Sequence, residues 1–433
     1  VITRRFNVAV IALIGVLAAS ALVSAQQVTI TFYDGTPAGA ATEILDILLA
    51  EFQELNPDIK VDVVRPGGYN ATREKAITAY FGGTSPNLIM MEQAQGFAFI
   101  AQGIFMPLDE FIENDPTISL DDIYPAMVEH LTWQGKIWGL PYNISTPLIY
   151  YNADLFAMSG LPERSPATWD EILEFSRAIA KDQDGDGRND INGIDFYQWG
   201  WLFEAWLGQN GARVANDEGT RFVFNSEEAI QAMEFTQSLV LEHRVARQGT
   251  GYPDFWAGKL GMTERSTASL QNNINNSIES GFRMGVGPLA CNVQCYAPIG
   301  GGNLHMFNAG TEAQKQATWK LMSFLLQPDN LARFAAGSGY MAGRRSSLQS
   351  HYLQDKFKEE PRFITTYLQL EVAQPRVKVP IWPEFLTEIG KFGTRQHRDG
   401  ANVRQELNEL VRIGNQMLDE WYATHSARLQ LFQ

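Results

Sequence analysis

Behind an apolar opening run, the chain alternates between two hydrophobic periods. Val28 to Phe32 alternates as a half-buried strand does, and Ile59 to Val64 repeats the pattern. Between them Ile44, Leu45, Leu48, Phe52 and Leu55 recur at helical spacing, and Asn56-Pro57 stops that helix. Residues 71–81 are again helical in pattern, Gly82-Gly83 ends them, and Leu88 to Met91 is a short buried strand. Strand, helix, strand, helix, strand predicts parallel pairing through right-handed crossovers, an open α/β sheet. Such sheets bind ligands beyond the carboxyl ends of their strands. Asp34-Gly35-Thr36, Gly67-Gly68-Tyr69 and Glu92-Gln93 all fall there. Each alone reads as a solvated loop. Three of them at strand ends point to a site.

The second half repeats these devices. Thr168-Trp169-Asp170-Glu171 is a capping box opening a helix through Ala180, and Asn225 with Glu228 repeats it before a helix to about Glu242. Leu260 to Met262 reads as a strand, and Ser266-Thr267-Ala268-Ser269 follows it where a helix starts. Free N–H groups at that start suit a polar ligand, and a plain serine cap is the alternative. Gly300-Gly301-Gly302 leads into another strand, Ala313 to Leu326 is helical, Gly339-Tyr340 is a turn, and Val403 to Trp421 is a long amphipathic helix. Between the halves lies Gly139-Leu140-Pro141-Tyr142-Asn143-Ile144-Ser145-Thr146-Pro147-Leu148-Ile149-Tyr150-Tyr151-Asn152. A residue before proline is held extended, so Tyr142 to Thr146 predicts a stiff crossover between two lobes.

At 433 residues the chain is too long for one hydrophobic core. A formal charge of −15 argues against nucleic acid and anionic membrane surfaces as partners. Arg4-Arg5, the apolar run Val8 to Leu22 and the small-residue end Val23-Ser24-Ala25 read as a secretory signal, residues 1–25, with an uncleaved anchor as the alternative, and predict an exported, periplasmic or extracytoplasmic protein. In that compartment Cys291 and Cys295 are expected to pair if their segment turns suitably. A secreted glycoside hydrolase would need two flanking carboxylates, which Asp34 and Glu92 could supply; no hydrolase elbow, zinc-protease helix or phosphate loop is present. Paired carboxylates serve plain sugar binding equally well, and the expectation is a binding protein, not an enzyme. Asp182-Gln183-Asp184-Gly185-Asp186-Gly187-Arg188-Asn189-Asp190 spaces Asp182, Asp184, Asp186, the Arg188 carbonyl and Asp190 as calcium-binding loops do, but Gly193 stands where a bidentate glutamate belongs. A structural calcium or a solvated acidic turn are the two readings. No other cofactor is expected.

Several segments together resemble the family 1 extracellular solute-binding proteins of bacterial ABC importers, in the branch that binds sugars and glycerol-3-phosphate. They are Ala50-Glu51-Phe52 to Asn56-Pro57, Phe81-Gly82-Gly83-Thr84-Ser85-Pro86-Asn87, Ser145 to Asn152, Thr168 to Glu171, Gly258-Lys259-Leu260-Gly261-Met262 and Ser338-Gly339-Tyr340. The resemblance implies a periplasmic-binding-protein-like fold of two α/β lobes, with open, mostly parallel sheets, crossing hinge segments and a cleft between them. The expected N-terminal lobe is 26–142 with 297–342, and the C-terminal lobe 143–296 with 343–433. The family's ligand residues fall on Tyr69, Glu92, Ser145, Ser266, Gly301 and Tyr340. Its arginine falls near Pro383 to Leu386, where this chain has none. A phosphate needs charge-assisted donors, so the expected ligand is an uncharged sugar or polyol. Glycerol-3-phosphate or a glycerophosphodiester is the alternative if Arg344 or Arg345 substitutes. Asp34 would accept sugar hydroxyls, and Trp199, Trp201, Trp206 and Trp382 are candidate ring platforms, Trp201 and Trp382 foremost. The expected partner is a membrane permease, and the protein is expected to be a monomer.

Overall fold

The computed structural model describes residues 27–196, 200–249 and 252–429; the expected leader and Trp199 lie outside them. In chain order the main elements are Val28–Asp34 (β1), Ala40–Leu55 (α1), Ile59–Val64 (β2), Tyr69–Phe81 (α2), Leu88–Glu92 (β3), Leu140–Ser145 (β4), Pro147–Asn152 (β5), Trp169–Ile179 (α3), Asn192–Phe196 (β6), Gly200–Gln209 (α4) and Glu227–Leu241 (α5). Then come Ala246–Gln248 (β7), Leu260–Ser266 (β8), Leu270–Glu279 (α6), Met284–Gly287 (β9), Ala297–Pro298 (β10), Gly300–Met306 (β11), Glu312–Leu325 (α7), Pro328–Ser338 (α8), Ala373–Gln374 (β12), Trp382–Asp399 (α9) and Val403–Leu429 (α10).

Two five-stranded sheets result, ordered β2-β1-β3-β11-β4 and β9-β5-β8-β6-β7. The expected parallel pairs β1–β2 and β1–β3 form, but β11 runs antiparallel to β3 and β4, and β5 antiparallel to β8 and β9. Both sheets are therefore mixed. The return strand β11 enters the first sheet from far along the chain, a pairing that local periodicity does not encode.

The chain leaves the first sheet at Ser145 and enters the second at Pro147, so Thr146 is the crossing residue. The expected boundary after Tyr142 falls inside β4, because Asn143 and Ser145 pair with Gly302 and Gly300 of β11. Two further crossings, β10 and β12, pair in parallel as a small ribbon between the lobes. Residues expected wholly with the second lobe are shared: Leu353, Tyr367, Leu370 and Ala373 join the first lobe's core, while Phe363 packs with Leu148 and Tyr150 of the second.

Local chemistry sets most helix ends. The Thr168 hydroxyl accepts from the Glu171 N–H at 3.2 Å, as its capping box predicts. At α5 the cap is Ser226, not Asn225, whose amide donates to Asn408 instead. Pro328 does more than stop α7; it occupies the first position of α8, where its missing N–H costs nothing. Cys291 and Cys295 form a disulfide. Among the described residues no helix is long and apolar enough to cross a membrane.

Candidate ligand-binding cleft

A cleft of about 880 Å³ opens between the lobes, within the range of small-molecule sites. It is walled by strand ends and helix starts: Tyr69 opens α2, Glu92 ends β3, Ser145 ends β4, Ser266 ends β8 and Tyr340 follows α8. Gly301 lines the floor at φ 88°, and a Cβ there would lie 1.7 Å from the Asn143 carbonyl oxygen, so no side chain fits. The Tyr69 and Tyr340 hydroxyls stand 3.4 Å apart, and the Asn143 amide donates to Tyr69 at 2.9 Å. Burial pushes both tyrosine hydroxyls up, keeping them neutral donors.

Among the described residues, the only charged side chains in the lining are Glu92 and Arg376. Arg376 donates from Nη1 to Glu92 Oε1 at 2.9 Å and from Nη2 to Glu204 Oε1 at 2.7 Å. Glu92 belongs to the first lobe and Glu204 to α4 of the second, so one guanidinium from the hinge ties both lobes. Glu92 Oε2 also accepts the Ala94 N–H, and Glu204 Oε2 the Val377 N–H. Burial pushes both carboxyls above the usual range, against the pull of Arg376. Two carboxylates around one guanidinium leave the cluster one negative charge.

Of the residues expected from sequence, Tyr69, Glu92, Ser145, Trp201, Ser266, Gly301 and Tyr340 come together on this cleft. Ser266 also caps the turn after β8, its hydroxyl accepting from the Ala268 N–H. Trp201 is held by its indole N–H on the Pro298 carbonyl, with one ring edge against Gly300 and the Arg376 guanidinium 5.9 Å from its ring. Asp34 is not on the cleft: it is 0% exposed, accepts from Thr36 and pairs with Arg65 at 2.7 Å. Three donors, the Thr36 N–H and hydroxyl and the Arg65 Nε, engage this fully buried carboxylate, which does not face the cleft. Trp382, 1% exposed, packs in the second lobe's core against Phe222 and Phe385, and Trp206 is buried with its N–H on Glu264. Large apolar faces found more burial in the core than a cleft offers.

Neither Arg344 nor Arg345 stands in for the missing arginine. Arg344 is bound within the first lobe by Asp122, the Leu326 carbonyl and the Thr117 carbonyl. Arg345 lies at the surface over the Tyr124 ring. In the acidic loop Asp182, Asp184 and Asp190 bring carboxylate oxygens within 4.8 Å of one another. Asp186 turns its carboxylate to the Arg188 N–H and stands outside that group.

Sequence reading missed Arg376 and Glu204. Arg376 sits in an irregular segment with no motif around it. Glu204 did carry a signal: it is the lone charge in Gly200-Trp201-Leu202-Phe203-Glu204-Ala205-Trp206-Leu207, and a charge in a fully buried helix requires a partner.

Two lobes, a polar cleft and a three-segment hinge define a receptor that encloses its solute. The chain belongs to the bacterial extracellular solute-binding proteins, the solute receptors of ABC transporters, whose family model matches residues 48–365. It is 26% identical over 413 residues to the sn-glycerol-3-phosphate-binding periplasmic protein UgpB of Salmonella paratyphi A, covering 90% of this chain and 92% of that one. Among solved structures it matches UgpB of Mycobacterium tuberculosis in complex with glycerophosphocholine, with a TM-score of 0.80, 22% identity, and 91% and 99% of the two chains covered. The sugar-binding protein MalE of Xanthomonas citri matches with a TM-score of 0.79, 22% identity, and 92% and 99% covered. These likenesses support the two-lobed fold.

Proposed function

We propose that this receptor captures an uncharged polyhydroxylated solute, a sugar or polyol, outside the cytoplasmic membrane and delivers it to a membrane permease. The observation that carries the reading is the charge of the lining. Its only cation among the described residues, Arg376, is already held by two carboxylates. A phosphomonoester dianion would meet a net negative cluster and displace one of those carboxylates to reach the guanidinium. Hydroxyls fare better: Glu92 accepts from them, the tyrosines and Ser145 donate, and the Trp201 edge offers an apolar surface. The chain acts by binding alone, as a monomer, without cofactor. Ligand favours the closed arrangement of the lobes and shifts the population to it.

A glycerophosphodiester is the second reading, favoured by the glycerophosphocholine held in the similar Mycobacterium tuberculosis structure and by Arg376, which could bind a single phosphodiester charge if Glu92 gives way. Titration calorimetry of the chain against neutral sugars, polyols, glycerol-3-phosphate and glycerophosphocholine decides. One neutral solute should bind at one per chain, unaltered on recovery. Binding of phosphorylated ligands alone would overturn the sugar reading, and turnover of an oligosaccharide would overturn the receptor reading.

A further inference from the structure

The cleft is also bridged at its rim, by a pair that no ligand residue shares. Arg73 lies on α2, one turn beyond Tyr69 and so on the same helix face. Glu384 lies in the first turn of α9, in the opposite lobe, where the helix dipole favours a carboxylate. Arg73 Nη2 meets Glu384 Oε1 at 2.5 Å. The Arg73 side chain is 14% exposed, and its buried Nε has no hydrogen-bond partner. Glu384 is the only carboxylate on Arg73 among the described residues. A mostly buried arginine with one counter-charge, supplied across a cleft, loses that partner when the lobes part.

We infer that Arg73 and Glu384 form a latch across the cleft mouth, which biases the ligand-free receptor toward the closed arrangement and must break for solute to enter or leave. The inference rests on the reading of the chain as a closing receptor. A partly exposed ion pair of this kind shifts a two-state equilibrium by about threefold to fivefold, more at low ionic strength.

The test uses the ligand-free full chain. Nitroxides placed at Ile47→Cys on α1 and Ile278→Cys on α6, both exposed, report the distance between lobes. Arg73→Gln and Glu384→Gln should each enlarge the long-distance population about threefold to fivefold. The double variant should match either single one, because one pair is lost in all three. Raising salt should open the parent and leave the variants unchanged. Distributions that coincide with the parent's, or a double variant shifted as far as both singles together, would overturn the latch. Because no solute is present, this outcome is separate from the calorimetry that tests the sugar reading.

Discussion

Arg376 is the residue on which lobe arrangement and cleft chemistry both depend, and its removal has a calculable cost. In Arg376→Met the stem volume remains and the guanidinium goes. Glu204, 1% exposed, then loses contacts from Nε at 2.9 Å and from Nη2 at 2.7 Å and keeps only the Val377 N–H. Glu92 loses its 2.9 Å contact and keeps the Ala94 N–H. Breaking a buried ion pair by deleting one partner costs about 3–5 kcal/mol, because the surviving charge stays desolvated. Here two carboxylates survive and repel, so the upper part of that range applies at pH 7.5. Protonation offers relief. Both carboxyls are already raised by burial, and without the guanidinium they rise further. A carboxyl raised in the fold binds more protons folded than unfolded, so stability falls as pH rises. Urea unfolding of parent and variant at pH 5 and pH 7.5 should show a larger deficit at pH 7.5. Arg376→Met combined with Glu204→Leu should recover part of it. A variant as stable as the parent at both pH values would refute the claim that this triad is a buried, mutually dependent unit.

Glu264 gives a second pH signal: burial pushes it to about 7, partly offset by the Trp206 N–H that it accepts at 2.9 Å. Its contribution to stability is full below the unfolded carboxyl range and is lost as pH rises through about 7, so Glu264→Gln should flatten the pH–stability curve across that window, and an unchanged curve would contradict the burial argument. Gly301→Ala should destabilise by roughly 2–4 kcal/mol, from backbone strain together with overpacking, since its Cβ would fall on the Asn143 carbonyl at φ 88°. Unaltered urea unfolding would show that the cleft floor has room to spare.

The alternating and helical periods of residues 28–91 placed β1, α1, β2, α2 and β3 within a few residues, because β1, α1 and β2 each bury one patterned face, Gly82-Gly83 ends α2, and β3 opens with four buried apolar residues. Position at strand ends alone drew attention to the segments of Tyr69, Glu92 and Ser266, and family resemblance added Ser145, Gly301 and Tyr340, all of which the fold gathers on one cleft. What the linear pattern carries is each residue's local preference and the faces it must bury. It does not carry which distant strand completes a sheet, so the place of β11 between β3 and β4 had to await tertiary pairing, which also narrowed the predicted crossover to Thr146. Nor does it carry how burial is shared among competing side chains. Asp34 and Trp382 have the right chemistry for a sugar site, yet Arg65 and a packed core claimed them. Arg376, in a segment without periodicity, became the charge at the centre of the cleft because the hinge ribbon delivers it between two glutamates from opposite lobes. A buried charge is decided by the partners that surround it in space, and those partners lie 284 and 172 residues away along the chain.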